Sequence, residues 1–428
     1  MKKNLLFSAA FALVCFAHAQ PALKVIDQHE VARIEKILSA DDMEGRAVFS
    51  KGIDKAADFI ADEFKKAGLQ TVSVADYYLQ VFYMIQPKFK SGSATVNGQP
   101  LDEKKWMLIT GEPVVTITEK SGYEITHIKA GAELFREAYA AVGSGKNTLV
   151  LVDPVFAANF PRLGNLKRAM MESKANTLFL LLDQAPETFR VEAVHDIKKE
   201  KLQNVVGMIP GKTKKDEYVI FSGHYDHLGI GKPVNGDSIY NGANDDAAGT
   251  TAVIMLAKYF SQLKNNERTI VFAAFTGEES GGFGARYFSQ QFDPARVIAM
   301  FNIEMIGTDS KWGRNSAYIT GYEKTDMGKI LAKNLSGSAF TFYPDPYPEQ
   351  QLFYRSDNAT LARLGVPAHT ISTSKMDSEK YYHTPGDAFE TLDMANMTEI
   401  IKAIAISSAS IVAGNDTPSR VDTSDLRR

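Results

Sequence analysis

Two hydrophobic periods alternate along the chain. Val31, Ile34 and Leu38 recur at helical spacing and predict a helix over 28–40. Ala56, Ile60, Phe64 and Ala67 make a second helical stripe from about 53 to 67, and Gly68 is a natural stop. From 77 to 206 the pattern shortens to β-type runs such as "SATVNG" and "PVVTIT". One strand–helix–strand unit is expected there, with "NTLVLVDP" and "NTLFLLLD" on either side of a helix near Lys167–Ser173. From "EYVIFSG" onward, apolar runs and helical stretches take turns. Strands are expected at Tyr218–Ser222, Thr269–Phe275, Val297–Ile303 and Ala368–Ser372, with helices near 248–263, 283–291, 325–335 and 395–413. That alternation predicts an α/β fold, a mixed and mostly parallel sheet with helices on both faces. The division expected is a helical part over 20–76, an inserted β-rich domain over 77–206, the main sheet over 207–415 and a polar, frayed tail over 416–428.

The N-terminus bears on location. Lys2 and Lys3 precede the apolar run Leu5 to Phe16, and Ala17-His18-Ala19 follows. This reads as a signal peptide over 1–19, cut after Ala19, with export to the periplasm or beyond. A lipoprotein signal ending at Cys15 ranks second, because Val14 fits that pattern poorly. The run is too short to span a bilayer, and no later segment reaches that length without charges, so no membrane span is expected. Cys15 is the only cysteine, so no disulfide is expected after cleavage. With 428 residues, 44% of them hydrophobic, the chain can build more than one core. A net charge of −3 without a basic stripe gives no sign of nucleic-acid binding.

The chemistry gathers where strands end, which is where open α/β sheets bind ligands. After the first of these strands comes "GHYDHLG", with His224, Asp226 and His227. Then comes "NGANDDAAGT", with Asp245 and Asp246 opening a helix. Glu278 and Glu279 follow the next strand, Glu304 ends the third, and "YYHTPGD" supplies His383 and Asp387. Each piece alone has an ordinary reading: Asp is a good helix cap, and paired glutamates are usually solvated. Glu304 is harder to dismiss, because a carboxylate between Ile303 and Met305 is awkward without a partner. Imidazole and carboxylate ligands without thiolate suit zinc, or less specifically manganese or cobalt. Five such ligands exceed one ion's need and suit two ions sharing a carboxylate, for which Asp245 is the natural bridge.

The segments "GHYDHLG", "NGANDDAAG", "TGEESGGFGARYF", "NIEMIG" and "YYHTPGD", in that order, resemble the zinc-dependent exopeptidases of metallopeptidase family twenty-eight. "DDMEGR" and "NVVGMIPG" are similar to its secreted bacterial members. The resemblance implies a zinc-exopeptidase, phosphorylase/hydrolase-like fold, with 77–206 in the position of a protease-associated type domain. It implies two Zn2+ ions per chain: His224 and Glu304 on one, Glu279 and His383 on the other, and Asp245 between them. It also implies that Asp226 accepts the second ring N–H of His224, that Asp246 shapes the loop, and that Glu278 is the general base. Glu304 stands where Asp is more usual. Asn358, in "RSDNATL", stands where many relatives carry His near the substrate pocket.

The expected activity is an aminopeptidase acting on peptides with a free N-terminus, with Tyr381 or Tyr382 as a candidate oxyanion donor. The alternatives are a glutaminyl cyclotransferase with one zinc, a carboxypeptidase drawing on Arg286 or Arg355, and an inactive binding module.

Overall fold

The computed structural model describes residues 23–72, 77–168 and 170–426. The signal-peptide reading of 1–19 therefore lies outside the described residues. The chain divides into two compact units, one formed up to Val81 and from Leu202, the other over Phe82–Lys201.

In the larger unit, α1 (Gln28–Leu38) starts at Asp27, whose carboxylate accepts the amides of His29 and Glu30. Ser50 caps α2 (Lys51–Lys66) by accepting from Ile53. The sheet strands are β1 (Gln70–Thr71), the end of β2 (Phe189–Ile209), β3 (Lys214–His224), β4 (Arg268–Phe275), β5 (Val297–Ile303), β6 (Ser316–Ile319), β7 (Thr341–Pro344) and β8 (Ala368–Ser372). Their order across the sheet is β7-β6-β8-β5-β3-β4-β2. The β3–β4, β3–β5, β5–β8 and β6–β7 pairs are parallel, while β6–β8 and β4–β2 are antiparallel. The sheet is thus mixed and mostly parallel. The unit's longer helices after these are α3 (Ala248–Leu263), α4 (Phe283–Ser289), α5 (Met327–Asn334) and α6 (Met394–Ser407).

Alternation along the central strands makes two cores. Val219, Phe221, Ile270 and Phe272 face α1, α2, α3 and α6, while Ile220, Val271 and Ala273 face α4 and the C-terminal segment. Each fully buried large apolar side chain is worth about 1.5–3 kcal/mol. Strands buried on both faces therefore give fixed ends for the loops that follow them. Two expectations fail here. The helix expected to run to 413 breaks, with α6 ending at Ser407 and a short turn of helix over Ala409–Val412. The tail is not frayed: Val421 and Leu426 are buried, and the buried Arg268 donates to the carbonyls of Ile411 and Asp416 and to Thr417 Oγ1. Those bonds give a nominally polar segment a fixed seat.

The smaller unit has a four-stranded sheet ordered Trp106–Ile109, Thr177–Leu181, Thr148–Val152, Glu124–Ile128. A helix, Leu134–Gly143, packs on it through Leu134 and Ala138. The crossover expected as a helix near Lys167–Ser173 is instead a 3-10 stretch, Phe160–Lys167, followed by a short strand, Met170–Met171. Pro161 and Gly164 in that stretch disfavour a longer α-helix. No helix among the described residues is long and apolar enough to cross a membrane.

Candidate metal centre

Four strand ends and one loop converge on the larger unit's site. His224 closes β3, and its Nε2 lies 3.3 Å from Asp245 Oδ1 and 3.5 Å from Glu304 Oε1. On the other side of Asp245, His383 Nε2 lies 3.3 Å from Asp245 Oδ2 and 3.2 Å from Glu279 Oε2. Asp245 therefore presents one oxygen to each group. The donor atoms of His224, Asp245 and Glu304 come within 4.8 Å of one another, and so do those of His227, Asp245 and Glu279.

The turn after β4 brings the adjacent glutamates into place. Gly277, Gly281 and Gly282 all have positive φ, and the amides of Gly281 and Gly282 donate to the Glu278 carbonyl. The Asp226 carboxylate accepts the backbone amides of both Glu278 and Glu279, at 3.1 and 3.3 Å. This corrects the role expected for Asp226. His224 Nδ1 pairs with the Asp226 backbone carbonyl at 3.1 Å, and the carboxylate stands 3.7 Å away. The acid is occupied by the amides of the glutamate turn, so it orients the acids more directly than the histidine.

Asp246 accepts the amides of His224, Gly249 and Met305. Asp387 accepts those of Asn244 and Asp245. The loop from Asn241 to Asp245 is thus tied to β3, to the start of α3 and to the residues after His383. Glu304 divides its oxygens: Oε2 accepts from Ser356 Oγ, and Oε1 faces His224. That division leaves the longer side chain one oxygen for an ion. Asn358 is fully buried, donates to the carbonyls of Phe353 and Ala368, and accepts from Thr370 Oγ1. It supports the strand beneath the pocket and does not line it.

Two residues given no role above belong to the site. Arg46, in "DDMEGR", is fully buried and donates to the carbonyls of Tyr225, Leu38, Asn241 and Gly242. His227 is buried, with Nδ1 2.9 Å from Glu279 Oε1. The motif that contains Arg46 was visible, but its partners lie far along the chain.

The electrostatics ask for positive charge. Burial alone would lower the pKa of His224, yet Asp245 and Glu304 hold it well above the ordinary value. Asp245 and Glu279 raise His383 to about 10. Burial works against ionised Glu279, but His227 and His383 bring it down to about 2. Burial pushes Glu278 well above the usual carboxylate range, helped by Glu304 and Asp357. The donor set fits divalent cations: His224 Nε2, His383 Nε2, Glu279 Oε1 and both nitrogens of His227 are buried without a hydrogen-bond partner.

Residues 204–407 match the model of peptidase family M28. Among curated proteins, a "Probable zinc metalloprotease" of Pyrenophora teres f. teres is 37% identical over 108 residues, 25% of this chain and 23% of that one. "Leucine aminopeptidase 1" of Neurospora crassa is 25% identical over 46% of this chain and 50% of that one. The chain thus spans about a quarter of the first relative's length and half of the second's. The fold resembles an aminopeptidase from Aneurinibacillus sp. strain AM-1, with TM-score 0.52 and 18% identity over 95% of this chain and 98% of that one. It also resembles a zinc aminopeptidase from Bacillus subtilis, with TM-score 0.53 and 15% identity over 92% and 98%. The segment that matches the model of peptidase family M28 carries every candidate ligand.

Proposed function

We propose that the protein is an aminopeptidase that works with two zinc ions and removes N-terminal residues from peptides. The observation that carries this is Asp245, shared between two ligand groups, with Glu278 beside them and in neither. His224, Asp245 and Glu304 would hold one ion, and Asp245, Glu279 and His383 the other. Zinc at these positions would supply Lewis acidity toward water and toward a scissile carbonyl.

Glu278 takes a proton from the attacking water and returns it to the leaving amine, a role worth roughly 10²–10⁴ in rate. Tyr382 stacks on His383 with ring centroids 3.9 Å apart and lines the pocket beside Glu304, whereas Tyr381 lies against Gly386. Tyr382 is therefore the better placed of the two to donate to a developing oxyanion.

The same pocket is lined by Met305, Tyr318, Leu352, Met376 and Arg355, and it would take the side chain of the residue removed. Arg355 is its one cation among the described residues, and Arg286 is an exposed side chain bonded to the Gly281 carbonyl. A carboxypeptidase would call for a basic cluster, which these two do not make. The β-rich content of Phe82–Lys201 and its place in the chain support a protease-associated type domain. The N-terminal charge and apolar pattern supports export.

Zinc content measured together with a panel of aminoacyl, N-acetylated and glutaminyl substrates tests the reading. Two zincs per chain and cleavage restricted to free N-termini are expected. Cyclisation of glutaminyl peptides with one zinc, or equal cleavage of N-blocked substrates, would overturn it.

A further inference from the structure

His227 has no assigned role in the reaction above, yet its surroundings resemble a ligand's. Its side chain is inaccessible to solvent, and neither ring nitrogen has a hydrogen-bond partner. A buried imidazole with both nitrogens unsatisfied is costly. Nδ1 stands 2.9 Å from Glu279 Oε1, which is itself buried and unpartnered. The two atoms are close enough for a hydrogen bond but are not aligned as one. Two donor atoms each about 2.0–2.2 Å from a tetrahedral zinc ion would stand roughly 3.3–3.6 Å apart, so a shift of about half an ångström would bring this pair to that spacing.

The ring is also held in place. Gly242 has φ +57, and a Cβ there would come 2.5 Å from His227 Cγ, so the loop backbone lies directly against the imidazole. The His227 amide donates to the Arg46 carbonyl at 3.2 Å. On the far side of Glu279, His383 faces Oε2, and the two imidazole centroids are 5.7 Å apart at an interplanar angle of 73°. Glu279 is thus flanked by an imidazole at each oxygen.

We propose that His227 binds the second ion through Nδ1, alongside Asp245, Glu279 and His383. This rests on the two-ion reading above and makes the two positions unequal. The first offers one imidazole and two carboxylates, and the second offers two imidazoles and two carboxylates. Imidazole favours zinc, while carboxylate-rich sites accept harder ions such as manganese. The second position fills with zinc first, and the first exchanges its metal more readily.

The test uses the full chain, stripped of metal and reloaded with Co2+. Proton NMR then counts the exchangeable, contact-shifted imidazole N–H resonances, with bound cobalt per chain measured in parallel. Three such resonances are expected at two cobalts per chain, and His227→Gln should leave two. The same variant should weaken one zinc equivalent in chelator competition by more than the roughly 10–100-fold that loss of an orienting partner costs, and leave the other unchanged. Two resonances in the parent at full loading would overturn the proposal, because His227 would then only orient Glu279. A variant that still shows three would overturn it as well. Binding of only one cobalt would instead refute the two-ion reading on which it rests. Circular dichroism of the metal-free variant separates misfolding from ligand loss, and His227→Asn gives a second variant if Gln does not fold.

Discussion

Arg46→Met is the most informative single perturbation. Methionine keeps much of the side chain's length and volume but removes the fork that holds four buried carbonyls at 2.6–2.9 Å. Hydrogen bonds to a charged group contribute about 1.5–3 kcal/mol each, so the gross loss is roughly 6–12 kcal/mol. Relief from burying a guanidinium, several kcal/mol, offsets part of that. A net loss of about 3–5 kcal/mol remains. For a unit of about 300 residues, the unfolding entropy gives ~0.6 kcal/mol per degree, so Tm should fall by about 5–8 °C. Calorimetry on the metal-free protein measures this. Three of the carbonyls belong to Tyr225, Asn241 and Gly242, which flank His224, His227 and Asp245, so zinc affinity should fall as well. Arg46→Lys keeps the charge and loses the fork, and should lie between. An Arg46→Met protein with Tm within a degree of the parent and unchanged zinc affinity would refute the reasoning.

Glu278→Gln should keep two zincs per chain while kcat falls about 10²–10⁴-fold; loss of zinc would exchange the roles of the two glutamates. Gly242→Ala forces a Cβ against His227 and the Asp245 carbonyl at positive φ, so chelator competition should show weakened zinc binding and calorimetry a loss of at least about 1–3 kcal/mol. Burial lifts Glu35 from 4.5 to about 8, with Thr251 and Arg46 offsetting only part. Below about pH 4.5 both folded and unfolded forms are protonated. As pH rises from there to 8 the unfolded form ionises first, so this contribution to stability is lost. Glu35→Gln should therefore match the parent near pH 4 and exceed it at pH 9 by on the order of 3–5 kcal/mol. Parallel urea-melt profiles against pH would rule this out.

The strands bearing the site were legible because buried strands are continuous apolar runs with chemistry at their ends. His224, Glu279 and Glu304 stand at or just past such ends, His383 lies in the loop after β8, and Asp245 precedes a helix, so motif order alone suggested their meeting. What was not legible depends on long-range contacts. Arg46 lies in a short polar stretch, and its carbonyl partners are 8 to 196 positions away. Asp226 was matched to the imidazole two residues before it, when the turn after β4 brings two amides closer. His227 has no neighbour in sequence that reveals Glu279. The segment after 415 is polar in composition, and its docking comes from the Asp416 carbonyl and Thr417 Oγ1, which accept from Arg268 and which no residue pattern announces.

Arg46 lies 179 positions from Tyr225 and 195 and 196 from Asn241 and Gly242. The whole Phe82–Lys201 unit lies between them in sequence. Closing so long a loop costs little more than closing a shorter one, about 0.6 kcal/mol per doubling, so the insertion is tolerated thermodynamically. In kinetic terms it matters more, because contacts this distant form slowly. The segment that bears Arg46 and the segments that bear the ligands must meet before the loops take their final shape. Metal uptake should therefore come late in maturation. Time-resolved zinc capture during refolding would then trail the recovery of secondary structure.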